Sequence, residues 1–432
     1  MSAPDPSPGP LTNDSDRWCA LQHLLSKIHQ GNPFYQAKWA AANLPPLPAT
    51  PTEFTAQWPF TTKAELVADQ SACPPYGTNL TAPSGHYVRC HQTSGTTGAP
   101  LRWLDTATDW NSLTDDWVTV FRAAGMSPAD RVFVAFSFGP FLGFWLAFEA
   151  AQRLGCLTLP GGGMSTALRA RVLLENRCTV LCGTPTYLLH LAATAASEGI
   201  DLRQSPVRLL IVAGEPGGSL PSTRERLSEA WHGARVFDHH GMTEVGPVTY
   251  EHPRQPGTLV VMESSFWVEV IQPGGNAPVA EGTAGELVLT TLRRPGSPLV
   301  RYRTGDLVRA RRISSAGTCE RGTTALTLEG GILGRVDDMI VIRGVNLYPS
   351  AVEEWIRKFP DIGEFRITHD LRTALPELSI EIEASDPTAQ ALAAKLQQHL
   401  ALRIPVHPVA AGSLPRFELK ARRWQRIGPV AD

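Results

Sequence analysis

From Arg131 onward, short apolar runs alternate with stretches of helical period, and this alternation restricts the fold more than any other feature of the chain. Candidate strands at 131–136, 156–159, 178–182, 207–213 and 234–237 are separated by helix-length segments, a pattern that builds a mainly parallel sheet through helical crossovers. Between the third and fourth strands, Thr184 offers an N-cap oxygen and Pro185 suits a first helical position. Gly199 follows the Leu188/Leu191 face as a stop, which predicts a helix there. After Gly257 the texture changes to alternating strands at 259–262, 266–271 and 285–290, parted by Pro-Gly-Gly and Glu-Gly-Thr turns, as in an antiparallel sheet beside the first. A third segment begins near Asp337, with an apolar run at 339–342, then Gly344 and a helix predicted over 349–359.

A chain of 432 residues exceeds what one core usually sustains. The expected architecture is α/β, with a large N-terminal domain of packed mixed sheets and helices over 31–336. A small C-terminal α+β domain occupies 337–432, and residues 1–30 form a disordered lead-in and a first helix. Residues 1–16 lack a basic start and an apolar run, so no signal peptide is expected. The greasiest stretch, 132–151, is broken by Ser137, Gly139, Pro140 and Glu149 and reads as a buried strand plus helix, with no membrane span. Lys plus Arg at 39 nearly cancel Asp plus Glu at 41, so no global field favours nucleic acid or an anionic membrane. Seven cysteines, odd in number and without a CxxC pair, speak against a disulfide framework and for a reducing cytoplasm.

The chemistry starts at Ser94, Gly95, Thr96, Thr97 and Gly98. Glycine lets backbone amides turn inward, and the hydroxyl residues add donors without bulk, which suits a polyphosphate; a plain surface loop has the same composition. The spacing is neither that of the Lys-bearing phosphate loop nor that of the dinucleotide fingerprint. Four further stretches follow in order: Asp238-His239-His240-Gly241-Met242-Thr243-Glu244, Arg301 to Asp306, Gly334-Arg335-Val336-Asp337-Asp338, and Lys420 near the end.

Together these motifs resemble the adenylate-forming (acyl-CoA synthetase, AMP-binding) superfamily. The likeness is strongest to its phenylacetate–CoA ligase branch, through Pro33-Phe34-Tyr35, Pro59 to Lys63, Ala213-Gly214-Glu215-Pro216 and Arg343 to Pro349. The resemblance implies the adenylate-forming fold with a mobile C-terminal domain. It also implies ATP-dependent activation of a carboxylic acid, aryl or arylacetic by preference, to an acyl-adenylate, and transfer to the co-substrate CoA. Transfer to a carrier-protein thiol or an amine, or a catalytically silent nucleotide-binding homologue, are the alternatives it leaves.

By the same resemblance, Thr243 would hold the α-phosphate and Glu244 Mg²⁺, while Asp306 accepts from the ribose hydroxyls and Arg335 supplies a cation. The loop 94–98, Gly214, Glu215, Pro216, Asp238, His239, His240 and Gly241 complete the nucleotide site. Lys420 matches the lysine that reaches the acyl phosphate, Asp337 the hinge, and Gly344 the loop lining the CoA tunnel. Phe136, Phe138, Gly139, Phe141 and Ala213 would line the acyl pocket. Three departures from the family pattern stand out. Ala99 replaces a lysine after the phosphate loop, Leu419 replaces a glycine before Lys420, and Phe138 falls where phenylacetate-using relatives carry tyrosine. The cysteine and histidine set that binds structural zinc in some relatives is reduced to His252 and Cys319, so no zinc is expected. Small-molecule acid, ATP and CoA are the expected partners, nucleic acid and membrane are not, and a homodimer is allowed.

Overall fold

The structure, a computed structural model, describes residues 13–93, 100–136, 138–215, 217–314, 324–336, 340–342, 345–347, 349–372, 377–400, 402–417 and 423–428. The apolar runs form a five-stranded sheet of Leu157–Pro160, Arg131–Val134, Val180–Gly183, Leu209–Val212 and Arg235–Asp238, in that spatial order. All neighbours are parallel. Helices cover the sheet, so Val180–Gly183 and Leu209–Val212 are buried at every position, which is why they read as continuous apolar runs. The predicted crossover helix is Pro185–Ser197. Thr184 Oγ1 accepts from the Tyr187 amide at 3.2 Å, and Gly199 leaves the helix with φ of +69°. Sheet growth changes direction at Arg131–Val134, whose sequence successor lies on one side and the next strand on the other. The carboxyl ends of these strands therefore border a crevice of the kind where open α/β sheets bind ligands.

Beyond residue 246 the chain builds a six-stranded antiparallel sheet. Its order is Thr249–Glu251, Thr258–Val261, Thr324–Arg335, Tyr302–Ser314, Ala284–Thr291 and Phe266–Ile271. One hydrophobic cluster runs from Val132, Val180 and Leu209 of the first sheet to Leu259, Leu287 and Leu328 of the second, so the two sheets share a core. The helix Asp14–Gly31 covers part of 1–30 and packs with Tyr35, Trp39, Trp58 and Val300 in a separate cluster.

The C-terminal body has its own core of Ile367, Ile380, Leu392 and Leu396. There the strands Val406–Val409, Glu377–Glu383, Phe365–Asp370 and Trp424–Ile427 form a mixed sheet with helices Pro349–Arg357 and Asp386–Leu400. The helix predicted over 349–359 ends at Arg357. Pro360 disfavours helical backbone at Phe359, a penalty that hydrophobic periodicity does not register. Among the described residues, no helix is long and apolar enough to cross a membrane.

Candidate active site

Asp306 and Arg335 are register partners on the neighbouring strands Tyr302–Ser314 and Thr324–Arg335, so the sheet itself sets them side by side. Arg335 Nη1 donates to the Thr304 carbonyl at 3.0 Å and lies 3.3 Å from Asp306 Oδ1. The Asp306 side chain is buried, and His240 Nε2 stands 3.0 Å from its Oδ2. Their geometry is not that of a hydrogen bond, and among the described residues both atoms are left without an aligned partner. A buried carboxylate oxygen with an unfilled lone pair is costly alone and well suited to accept from a ligand hydroxyl.

Thr243 and Glu244 sit at the turn of a short hairpin in which Gly241–Met242 pairs with Gly246–Pro247. Gly246 has φ of +89°, and a Cβ there would overlap the Leu113 side chain, so the tight return requires glycine. The turn is pinned from below: Arg294 Nη1 donates to the carbonyls of Thr243 at 2.9 Å and Glu244 at 3.0 Å. Arg294 is itself fully buried and bound twice by Asp105, at 2.6 and 2.8 Å. Lys63 Nζ lies 3.8 Å from the Glu244 carboxylate, placed there because Thr61 hydrogen-bonds along the chain at Arg301 and Arg303. Among the described residues the Glu244 carboxylate accepts no hydrogen bond.

The sequence reading gave no role to Lys63, Asp105 or Arg294. Lys63 lies inside a quoted motif, which was its available signal. Nothing local marks Arg294, between Arg293 and Pro295, as buried; only the fold brings Asp105 to it.

The phosphate-loop residues Ser94 to Gly98 lie outside the described residues, as do Pro216, Asp337, Gly344 and Lys420. The flanks of the loop are strands Tyr87–Gln92 and Arg102–Thr106, an antiparallel pair whose connection carries the glycines. Thr93 closes it, donating its amide to Leu101 at 2.9 Å and accepting the Leu101 amide on Oγ1 at 3.0 Å. Arg102, the first residue of the second strand, donates its guanidinium to the Pro75 carbonyl at 3.0 Å.

On the acyl side, the Gln92 amide donates to the Pro140 carbonyl at 2.8 Å, coupling the loop strand to the 136–141 turn. Phe138 meets Trp145 and Phe148 edge-on, at centroid distances of 5.0 and 5.5 Å, and Trp145 Nε1 donates to the Gly139 carbonyl at 3.0 Å. Phe136, Phe138 and Trp145 are partly buried and pack against the main core. Phe141 is half-buried, immediately before the helix Leu142–Leu154.

Asp238 and His239 face inward. Asp238 accepts from Ser219 Oγ at 2.6 Å, and burial raises its pKa to about 7. His239 lies edge-on to Trp117 at 4.2 Å; burial, then the nearby His240, lowers its pKa to about 3, so the ring is neutral. Gly214 follows Ala213 with φ of +92°, and the turn aims Glu215 Oε1 at the Thr186 amide, 2.6 Å away.

Residues 61–292 match the family model described as AMP-binding enzyme, and 344–425 match that of the AMP-binding enzyme C-terminal domain. The chain belongs to the AMP-binding enzyme family. This AMP-binding enzyme is 31% identical to the phenylacetate-coenzyme A ligase of Pseudomonas putida, over 94% of this chain and 91% of that one. A crystal structure of 2-hydroxyisobutyryl-CoA ligase in the postadenylation state, in complex with R3-HIB-AMP, superposes with a TM-score of 0.89. It is 29% identical and covers 96% of this chain and 89% of its own. The same ligase with 2-HIB-AMP and CoA in the thioesterification state gives 0.72 at the same identity and coverage. The adenylate-forming fold of this AMP-binding enzyme is therefore established, and it is an AMP-forming acid–CoA ligase by kinship.

Among the described residues, no group of three or more His, Cys, Asp or Glu could hold a metal ion. A single hard carboxylate such as Glu244 fits Mg²⁺, which keeps several waters and is bound largely through substrate phosphates.

Proposed function

We propose that this enzyme joins a carboxylic acid to AMP and then passes the acyl group to CoA. In the first step a carboxylate oxygen of the acid attacks the α-phosphorus of ATP and pyrophosphate leaves. In the second the CoA sulfur attacks the acyl carbon, its thiol proton goes to solvent, and AMP leaves with the bonding electrons. The activation is needed because an unmodified acid has no adequate leaving group.

The observation that carries this reading is Asp306: a buried carboxylate oxygen with no aligned donor, set beside Arg335 and His240. Asp306 accepts from the ribose diol, and Arg335 fixes the carboxylate and adds positive charge. Glu244 would hold Mg²⁺, which when bound neutralises phosphate charge. Lys63, directed at the same carboxylate, supplies the cation that Ala99 does not. Thr243 donates to the α-phosphate, the loop Ser94 to Gly98 wraps the β- and γ-phosphates, and Lys420 reaches the acyl phosphate. Preorganised donors of this kind act where charge develops in the transition state.

The better superposition on the postadenylation state supports reading this domain arrangement as the adenylation one, with Asp337 as the hinge and Gly344 reserved for the CoA tunnel. The bond from the Val336 amide to the Gly305 carbonyl, at 2.7 Å, ties residue 336 to the N-terminal body and supports a domain boundary at 336/337. The aromatic wall of Phe138, Trp145 and Phe148, with the phenylacetate-using relatives, supports an aryl or arylacetic acid. Free thiols at the described cysteines accord with a reducing cytoplasm.

The test is a panel of aryl, arylacetic and short aliphatic acids assayed for pyrophosphate release, with and without CoA. Acid-dependent ATP–pyrophosphate exchange together with acyl-CoA formation is expected. Exchange without thioester would redirect the acyl group to another acceptor, and no exchange with any acid would make the protein a silent nucleotide binder.

A further inference from the structure

A cavity of about 290 Å³ separates the helices Pro185–Ser197 and Pro221–Ala230 from the C-terminal body. Arg226 reaches it from the N-terminal side and Arg357, Arg416 and Arg423 from the other; Glu364 is the carboxylate in its wall. The three C-terminal guanidiniums already have counter-ions. Arg357 pairs with Glu353 at 2.8 Å, Arg416 with Glu383 at 2.6 Å and Arg423 with Glu364 at 2.6 Å.

Among the described residues, Arg226 has no hydrogen bond and no ion pair. Burial, then repulsion from Arg357 and Arg423, holds its pKa below the usual arginine value, against the weaker pull of Glu364 and Glu229. Arg357 is 8% exposed, and its Nε–H is buried without an acceptor among the described residues. An unpaired guanidinium and an unsatisfied buried donor therefore line one cavity from opposite sides of a domain contact. Among the described residues, Arg423 Nη1 approaches Thr186 Oγ1 across that contact at 3.5 Å.

Such an arrangement calls for a compact anion with several acceptor oxygens. A tetrahedral phosphoryl group fits planar guanidinium forks, and the cavity volume is at the small end of ligand sites. We propose that this interdomain cavity binds a phosphate-class anion, inorganic phosphate or pyrophosphate, between Arg226 of one body and Arg357 and Arg423 of the other. The anion relieves repulsion across the contact and favours the present arrangement over any rotated one, by as much as it binds this arrangement better. Only that last consequence, a slower passage from adenylation to thioester formation, rests on the proposed two-step reaction.

The experiment is phosphate binding to the purified full chain, without acid, ATP or Mg²⁺, followed by calorimetry and by hydrogen exchange. Wild type is expected to bind inorganic phosphate saturably at millimolar concentration, and exchange should slow in residues 186–193 and 356–365. Arg226→Ala, or the neutral Arg226→Gln of similar length, should weaken binding about tenfold, the loss of one charge-assisted contact, while Lys63→Ala leaves it intact. Pyrophosphate run in parallel distinguishes the two anions, the tighter being the preferred occupant. Binding lost in Lys63→Ala but kept in Arg226→Ala would assign the anion to the nucleotide mouth and overturn the proposal. Absence of saturable binding, or protection confined to other segments, would overturn it even where the Arg226 variants fail to fold. None of these readouts depends on ligase activity, which acid-dependent pyrophosphate exchange tests separately.

Discussion

Arg294 and Asp105 form a two-bonded, fully buried ion pair, and the same guanidinium carries the carbonyls of Thr243 and Glu244. The Thr243–Glu244 turn is thus mounted on a charge pair that solvent does not reach. Asp105→Ala should cost about 3–5 kcal/mol, because it strands a buried guanidinium, and should also disorder the turn. Urea unfolding together with pyrophosphate exchange checks both; a variant of native stability would remove the pair from its supporting role.

Lys63→Ala should slow adenylation by about 10- to 1000-fold, comparable to deleting one preorganised electrostatic donor, with a smaller change in the KM for the acid. Lys63→Arg should recover part of the rate. Steady-state kinetics decides, and an undiminished kcat would leave Lys63 as a mere neighbour of Glu244.

Asp306→Ala should weaken ATP and AMP binding about tenfold or more, since two ribose hydroxyls lose a charged acceptor. Equilibrium dialysis with labelled nucleotide reads this directly. Affinity equal to wild type would take Asp306 out of the nucleotide site.

Lys420→Ala should depress adenylation far more than thioester formation from supplied acyl-adenylate. The two half-reactions are measured separately, and equal losses would contradict the division of labour between domain positions.

His239→Phe should flatten the acid side of the stability profile. The His239 pKa falls from 6.5 to about 3 in the folded state, so the unfolded chain takes the proton first. The stability it confers is full above 6.5 and is lost as pH drops through that value towards 3. Asp116 and Asp238, raised from 3.8 to about 7 chiefly by burial, have the opposite sign: their contribution is full below 3.8 and fades as pH rises to about 7. Chemical denaturation of both proteins across this range tests the assignment; an unchanged acid slope in the variant would move the lability to other groups such as His91, whose pKa burial lowers to about 4.

Much of the fold was legible in local patterns. The run at 180–183 is apolar throughout because helices cover both faces of its sheet, and Thr184, Pro185 and Gly199 bracket the next helix because capping and left-handed backbone are local chemistry. Strand ends shifted by one or two residues, as at Arg131–Val134, because apolar side chains continue into the crevice after the ladder stops. The long strands Tyr302–Ser314 and Thr324–Arg335 escaped notice: their polar residues alternate irregularly, and bulges interrupt their pairing.

The sequence by itself determined the alternating α/β order, the glycine and hydroxyl loop, and the ordered motifs at 238–244, 301–306 and 334–338, all of which depend on residue type and short spacing. Tertiary structure alone decided which charges meet. Asp105 and Arg294 are 189 residues apart, and Lys63 and Glu244 belong to different elements. Arg226 and Arg357 share a cavity only because two separately cored bodies come into contact. Electrostatic interaction depends on distance and burial, and neither is written in the neighbourhood of any one of these residues.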